Sequence, residues 1–232
     1  MMYLKRICLT LVISIMFPLT AYSIPYDFEY SYGDPYLASS QTYITGTSNA
    51  VLYDEGPYRF WKPGAGGTTL ANTTPGIVTY HFDFDSMGYA NPTSEISLGV
   101  GMHAFHWDYS QGYNALYGSN DGTTWIMLAD SDPVAHAGYK TLNPISGLDG
   151  LLGTSDLWLR AEMYSYGTYA PSGGVWTNTA QLSRYDTAND NTTFGLSVNF
   201  EDESGGTVPE PTTLALMSLG LAGIGWRRRK AA

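Results

Sequence analysis

The sequence predicts an all-β chain: one antiparallel β-sandwich, with an N-terminal export signal before it and a short C-terminal transmembrane helix after it. Three observations predict this. Segments 76–85, 156–164 and 193–201 alternate apolar and polar residues with a period of two, the pattern of a half-buried strand. Clusters of Gly, Asn, Asp and Pro separate about nine short strand candidates, a rhythm that suits a sandwich. No segment within 24–206 carries helical periodicity, and no internal repeat is visible.

The elements follow in chain order. Lys5 and Arg6 precede an apolar run from Ile7 to Leu19, and Ala21-Tyr22-Ser23 places small residues before Ile24. That arrangement predicts a secretory signal peptide over 1–23. The sandwich domain is expected over 24–200. In Ile24 to Gly33, Tyr26, Phe28, Tyr30 and Tyr32 alternate with polar residues and predict a first strand, ended by Asp34-Pro35. Gln41–Thr45, Ala50–Tyr53 and Tyr58–Trp61 are short strand candidates. The clearest strand is 76–85, with Val78, Tyr80, Phe82 and Phe84 on one face and Thr79, His81, Asp83 and Asp85 on the other. Ile96–Val100 and Met102–Trp107 follow, with Gly99 and Gly101 as bend positions. Ala115–Tyr117 and Trp125–Leu128 flank Ser119-Asn120-Asp121-Gly122 and predict a hairpin, since Asp-Gly supplies the positive φ of a tight turn. Residues 146–153 read as turns with room for a short helix. Asp156–Tyr164 points Leu157, Leu159, Ala161 and Met163 one way; Gln181–Tyr185 is short; Thr193–Glu201 closes the domain with Phe194, Leu196, Val198 and Phe200 on one face. A polar linker spans 201–207.

The segment Leu116-Tyr117-Gly118-Ser119-Asn120-Asp121-Gly122-Thr123-Thr124-Trp125 resembles a hairpin of the galactose-binding-like jelly-roll sandwiches of secreted bacterial proteins. The resemblance covers one hairpin and the strand rhythm. It implies a jelly-roll-like sandwich and, more weakly, a carbohydrate ligand.

Charge narrows the partners. Residues 24–209 hold five Lys and Arg against twenty Asp and Glu, a net charge of −15. Nucleic acid and anionic membrane surfaces are therefore poor partners, whereas cations, neutral sugars and basic proteins remain open. The only cysteine, Cys8, lies in the signal region, so the exported part forms no disulfide and a thiol nucleophile is excluded.

Four sets of residues carry candidate chemistry. The chain has 19 Tyr, 8 Phe and 6 Trp. Tyr and Trp rings stack on the apolar faces of sugars while Asp, Asn and Gln bind hydroxyls. Trp107, Asp108, Tyr109, Gln111, Tyr113 and Asn114, next to His106, supply that mixture, and Tyr164, Tyr166, Tyr169 and Trp176 supply a second. The alternative is that these rings pave strand faces. Asp186, Asn189, Asp190 and Asn191 form an oxygen-rich loop suited to a structural Ca²⁺, with Asp27 and Asp34 as other candidates and an ordinary polar turn as the alternative. His103 and His106 near Asp108 could ligate a metal or act as a base, but their spacing puts them on opposite faces of a single strand. Glu95 and Glu162 form a conceivable glycosidase pair. No Gly-x-Ser-x-Gly or His-Glu-x-x-His motif is present, so no catalytic residue is assigned.

The tail is the most specific feature. Thr207-Val208-Pro209-Glu210-Pro211 leads into an uncharged apolar run from Thr212 to Trp226, closed by Arg227, Arg228, Arg229 and Lys230. As a helix the run reaches roughly 22 Å, short of a hydrocarbon core of about 30 Å. It spans if the bilayer thins or the cations snorkel, and those cations favour a cytoplasmic end. Pro209 and Pro211 keep Glu210 extended outside the membrane. This three-part arrangement, covering 207–230, resembles the PEP-CTERM sorting signal of bacterial envelope proteins. The resemblance implies recognition and cleavage by the membrane protease exosortase near Pro209, Glu210 and Pro211, after transient anchoring in the inner membrane; Val208 and the basic end 227–230 belong to the same signal. It implies sorting and no activity.

The sequence thus predicts an exported, non-enzymatic protein of the cell envelope, outer surface or extracellular matrix. Its sandwich binds exopolysaccharide or serves structurally. The alternatives are a secreted carbohydrate-active hydrolase and a protein-binding adhesion or assembly module.

Overall fold

In the computed structural model the described residues are 26–107, 110–131, 140–141, 145–167, 174–175 and 177–201. The predicted signal peptide and sorting segment, and with them Val208, Pro209, Glu210, Pro211 and Arg227 to Lys230, lie outside these. Among the described residues no helix is long and apolar enough to cross a membrane.

The described chain is all-β apart from short 3₁₀ turns. Its strands are β1 (Phe28–Tyr32), β2 (Ile44–Ser48), β3 (Ala50–Glu55), β4 (Tyr58–Pro63), β5 (Gly76–Asp83), β6 (Thr93–Val100), β7 (Met102–Ala104), β8 (His106–Trp107), β9 (Ser110–Ser119), β10 (Ile126–Ser131), β11 (Lys140–Thr141), β12 (Asp156–Gly167), β13 (Ala180–Asp186) and β14 (Phe194–Phe200). They form three sheets: β1-β14-β6, β10-β9-β12-β5-β2 with β8 also on β9, and β11-β7-β13-β4-β3. Every strand pairing is antiparallel. The three-stranded and five-stranded sheets meet where the Gly101 N–H donates to the Thr193 carbonyl (2.8 Å) and the Ser183 N–H to the Gly101 carbonyl (2.7 Å). One apolar cluster joins all three sheets, an arrangement that fits a β-sandwich.

The alternation read from sequence sets which faces are buried. Val78, Tyr80, Phe82 and Phe84 are buried, as are Leu157, Leu159, Ala161 and Met163 on the neighbouring strand and Phe194, Leu196 and Val198 opposite. Each Val, Leu, Phe and Met among them contributes about 1.5–3 kcal/mol relative to exposure. The rings pack edge-on and stacked: Phe28 lies 6.1 Å from Phe82 and 5.4 Å from Phe84, and Tyr80 lies 5.0 Å from Phe194. Two buried hydroxyls satisfy each other here, Tyr32 and Tyr80 at 2.8 Å, with Ser183 2.9 Å from Tyr32. Burial pushes the Tyr32 phenol up to about 12.

Several boundaries differ from the sequence reading. The candidate at 41–45 splits into a 3₁₀ turn, Ala38–Gln41, and β2 beginning at Ile44. The turn forms because the Ser40 hydroxyl donates to the Asp34 carbonyl (2.6 Å) while the Tyr36 N–H donates to Asp34 Oδ1 (2.9 Å). Met102–Trp107 is two strands, broken at Phe105, whose N–H donates to the Thr179 carbonyl and whose carbonyl accepts from Gly112. The β9–β10 connection is longer than a two-residue turn, since Gly118 pairs with Ile126. Asp121 holds it: its Oδ1 accepts the Thr123 and Thr124 N–H groups, both at 2.7 Å, and Gly122 takes φ +70°. These bonds hold the exposed Asp121 carboxyl well below its usual range. Phe200 is half-buried, stacked 4.5 Å from Tyr89.

Candidate functional site

The candidate site lies on the outer face of the six-stranded sheet, built by the central pair β9 and β12. Register places Tyr117 opposite Arg160, Ala115 opposite Glu162, Tyr113 opposite Tyr164 and Gln111 opposite Tyr166. Directly paired residues point to the same side, so these form one platform. On β10, Asp130 pairs with Ala115 and extends the row. Tyr113, Tyr117, Tyr164, Tyr166 and Arg160 are half-exposed, whereas Ala115 is a fully buried floor.

Charge sits at the centre of this platform. The Glu162 side chain is 10% exposed, and its Oε1 lies 2.9 Å from Arg160 Nε. The Arg160 N–H is not aligned on that oxygen, so the contact is an ion pair rather than a hydrogen bond. Glu162 Oε2 accepts the Tyr164 hydroxyl at 2.5 Å. The Arg160 guanidinium stacks over Trp125 at 4.4 Å and Tyr117 at 5.0 Å, which ties the β9–β10 hairpin to the sheet. Tyr113 and Tyr164 rings stand 5.6 Å apart. Burial, then the bond to Glu162, raises the Tyr164 phenol; burial, then Glu162, raises Tyr117. Farther along, His81 stacks on Trp158 at 3.6 Å while its Nε2 meets Asp156 Oδ1 at 2.8 Å.

The sequence-predicted sugar residues divide. Gln111 and Tyr113 lie on the platform, with Tyr164 and Tyr166 from the second aromatic segment beside them. Asn114 faces the opposite way: it is fully buried, and its Nδ2 donates to the His103 carbonyl (2.8 Å) and the Gln181 carbonyl (3.3 Å). The Trp107 backbone pairs with Ser110. Asp108, Tyr109 and Trp176 lie outside the described residues. Tyr117, Trp125 and Arg160 join the platform unnoticed in sequence; the even-numbered positions of β12 carry the signal that locates Arg160, and only pairing adds Tyr117.

The Asp186 loop closes on itself. Asp186 Oδ1 accepts the Ala188 N–H (2.9 Å), Asp186 Oδ2 accepts the Asn189 amide, Asn191 Oδ1 accepts the Asp186 N–H (2.8 Å), and Asp190 Oδ1 accepts the Tyr185 hydroxyl (2.7 Å). Among the described residues no group of three or more His, Cys, Asp or Glu is arranged around a metal position. His103 and His106 stand on different strands, β7 and β8. Glu95, on β6 of the three-stranded sheet, accepts from Asn199 at 3.0 Å, whereas Glu162 is on β12 of the six-stranded sheet.

Comparison with known families decides the other end of the molecule. Residues 207–230 match the PEP-CTERM protein-sorting motif. The motif supports an exported protein sorted by exosortase, and it implies transient membrane anchoring before that membrane protease acts. No curated protein matches the chain.

Proposed function

We propose that this chain is an exosortase-sorted protein of the cell surface or extracellular matrix whose β-sandwich binds a neutral polysaccharide on the β9–β12 platform. The match of 207–230 to the sorting motif carries the export half of this reading. The tyrosine platform with a carboxylate and a guanidinium at its centre supports the binding half. Flat rings suit the C–H faces of a pyranose, and Glu162 and Arg160 supply an acceptor and donors for hydroxyls. The net charge of −15 over 24–209 disfavours polyanionic glycans. A structural Ca²⁺ on Asp186, Asn189, Asp190 and Asn191 belongs to the same proposal, and EDTA should then lower the melting temperature.

The purified 24–206 fragment, titrated with a panel of neutral and acidic polysaccharides, tests the binding half. Binding to a neutral glycan that weakens at least tenfold in Tyr113→Ala/Tyr164→Ala, with unchanged melting, supports it. No affinity for any glycan removes it and leaves a structural role. Glycan turnover abolished by Glu162→Gln would instead make the protein a hydrolase.

A further inference from the structure

The two ends of the described domain meet at one pole. The start of β1 lies beside the end of β14, with Phe28 paired to Val198. The junction is stitched: the Phe200 N–H donates to Asp27 Oδ2 (3.0 Å), the Asp27 N–H to Asn199 Oδ1 (3.2 Å), and the Tyr89 hydroxyl to the Asp27 carbonyl (2.9 Å). Asp27 and Phe200, near the two ends of the described domain, therefore lie side by side. The starts of β12 and β6 share this pole, since Asp156 pairs with Asp83, the Phe84 N–H donates to the Ser155 carbonyl, Phe84 packs on Phe28 and Phe200, and Phe200 pairs with Thr93.

The platform occupies the other end of the same strands. β12 has twelve residues, so at about 3.3 Å per residue it runs about 36 Å. It ends at Tyr166 and Gly167, paired with Gln111 and Ser110. Between Glu201 and Thr212, the start of the apolar run, lie residues 202–211, a leash that reaches at most about 35 Å.

We infer that the precursor stands on the bilayer by the Asp27–Phe200 pole and presents the Gln111, Tyr113, Tyr164 and Tyr166 end of the β9–β12 platform away from it. The partner of the first pole is thus the membrane and its protease; the far end is the one free to meet material outside. The excess of acidic residues keeps the domain from lying flat on an anionic surface, because a like-charged surface repels it within about a Debye length. The inference rests on membrane anchoring by 207–230 and does not require a glycan.

The exported part has no cysteine, so single engineered cysteines report cleanly. Ser86→Cys marks the near pole, where Met87 and Tyr89 fold back on Phe84. Asn178→Cys marks the far pole, beside Thr179, whose hydroxyl donates to the Gln111 carbonyl. The exported chain, with residues 1–23 and hence Cys8 removed, recovered from membranes with Glu210→Ala to keep the tail, is labelled with a donor dye and reconstituted in anionic vesicles bearing an acceptor lipid. Energy transfer from position 86 should be at least threefold that from position 178. Equal transfer, or more from 178, overturns the orientation while leaving anchoring intact. A chain that does not associate with vesicles overturns the anchoring itself.

Discussion

The two ends of β9 and β12 are built on opposite principles. Towards the Asp27–Phe200 pole their inner faces are apolar, with Leu116, Leu157, Leu159 and Ala161 all buried in the cluster shared with β1, β5 and β14, up to Met163, which pairs with Asn114 where the two halves meet. Towards the far pole the inner positions become Ser110, Gly112, Asn114 and Ser165, also buried. There the contacts are hydrogen bonds: Ser165 Oγ donates to the Thr177 carbonyl (3.0 Å), Thr179 Oγ1 to the Gln111 carbonyl (2.9 Å), and Asn114 to two carbonyls of the five-stranded sheet. The near half is held by area removed from water and the far half by pairing of groups that would be costly unpaired. One end of a sandwich can thus hold a stable root while the other, under the tyrosine platform, is specified by directional bonds.

This contrast is open to direct attack. The largest effect is expected in the near half. Phe82→Ala removes a fully buried ring that touches Phe28 and Tyr43. It should cost about 3–5 kcal/mol in urea unfolding of the 24–206 fragment; a cost below 1 kcal/mol would show that this cluster is not the root of the fold.

The far half should instead show itself in pH. Burial, then the nearby Arg184, lowers the His103 imidazole to about 4, against an ordinary value of 6.5. The unfolded chain therefore binds a proton between these values that the folded chain refuses. Stability is complete above about pH 6.5 and is lost as pH falls towards 4, by about 2 kcal/mol between pH 7 and pH 5. His103→Asn should flatten that part of the stability profile. An unchanged profile would place the imidazole in water.

A smaller effect, yet the sharpest test of close packing at the far end, is Gly112→Ala. An added methyl would lie 1.8 Å from the Thr179 carbonyl oxygen, so backbone must move. A loss of about 1–3 kcal/mol is expected by chemical denaturation, with glycan affinity falling alongside if the platform is displaced. A neutral substitution would mean that the 177–179 turn yields freely.

The same contrast explains what was legible in the sequence. Strict alternation through Val78, Tyr80, Phe82 and Phe84, and through Leu157 to Met163, identifies β5 and β12 and their buried faces without further information. The far half hides because Ser110, Gly112 and Asn114 resemble turn residues, and only pairing with β12 reveals them as the interior of a strand. The platform was half legible. Aromatic density pointed to Gln111 and Tyr113, and period two separates them from Asn114, which belongs to the other face. Arg160 opposite Tyr117 depends on the register of two strands more than thirty residues apart, which composition does not encode. The sorting segment was read entirely from its own residues, because a short uncharged run between Pro-Glu-Pro and a basic cluster needs no tertiary context.

The central claim, that the chain is exported and trimmed, is tested most directly by intact-mass measurement of the protein recovered from envelope and medium of the producing cell. The account predicts a species that starts at Ile24 and ends near Pro209–Pro211, with Glu210→Ala accumulating in the membrane with its tail retained. Full-length protein in the cytosol, identical in both strains, would contradict it.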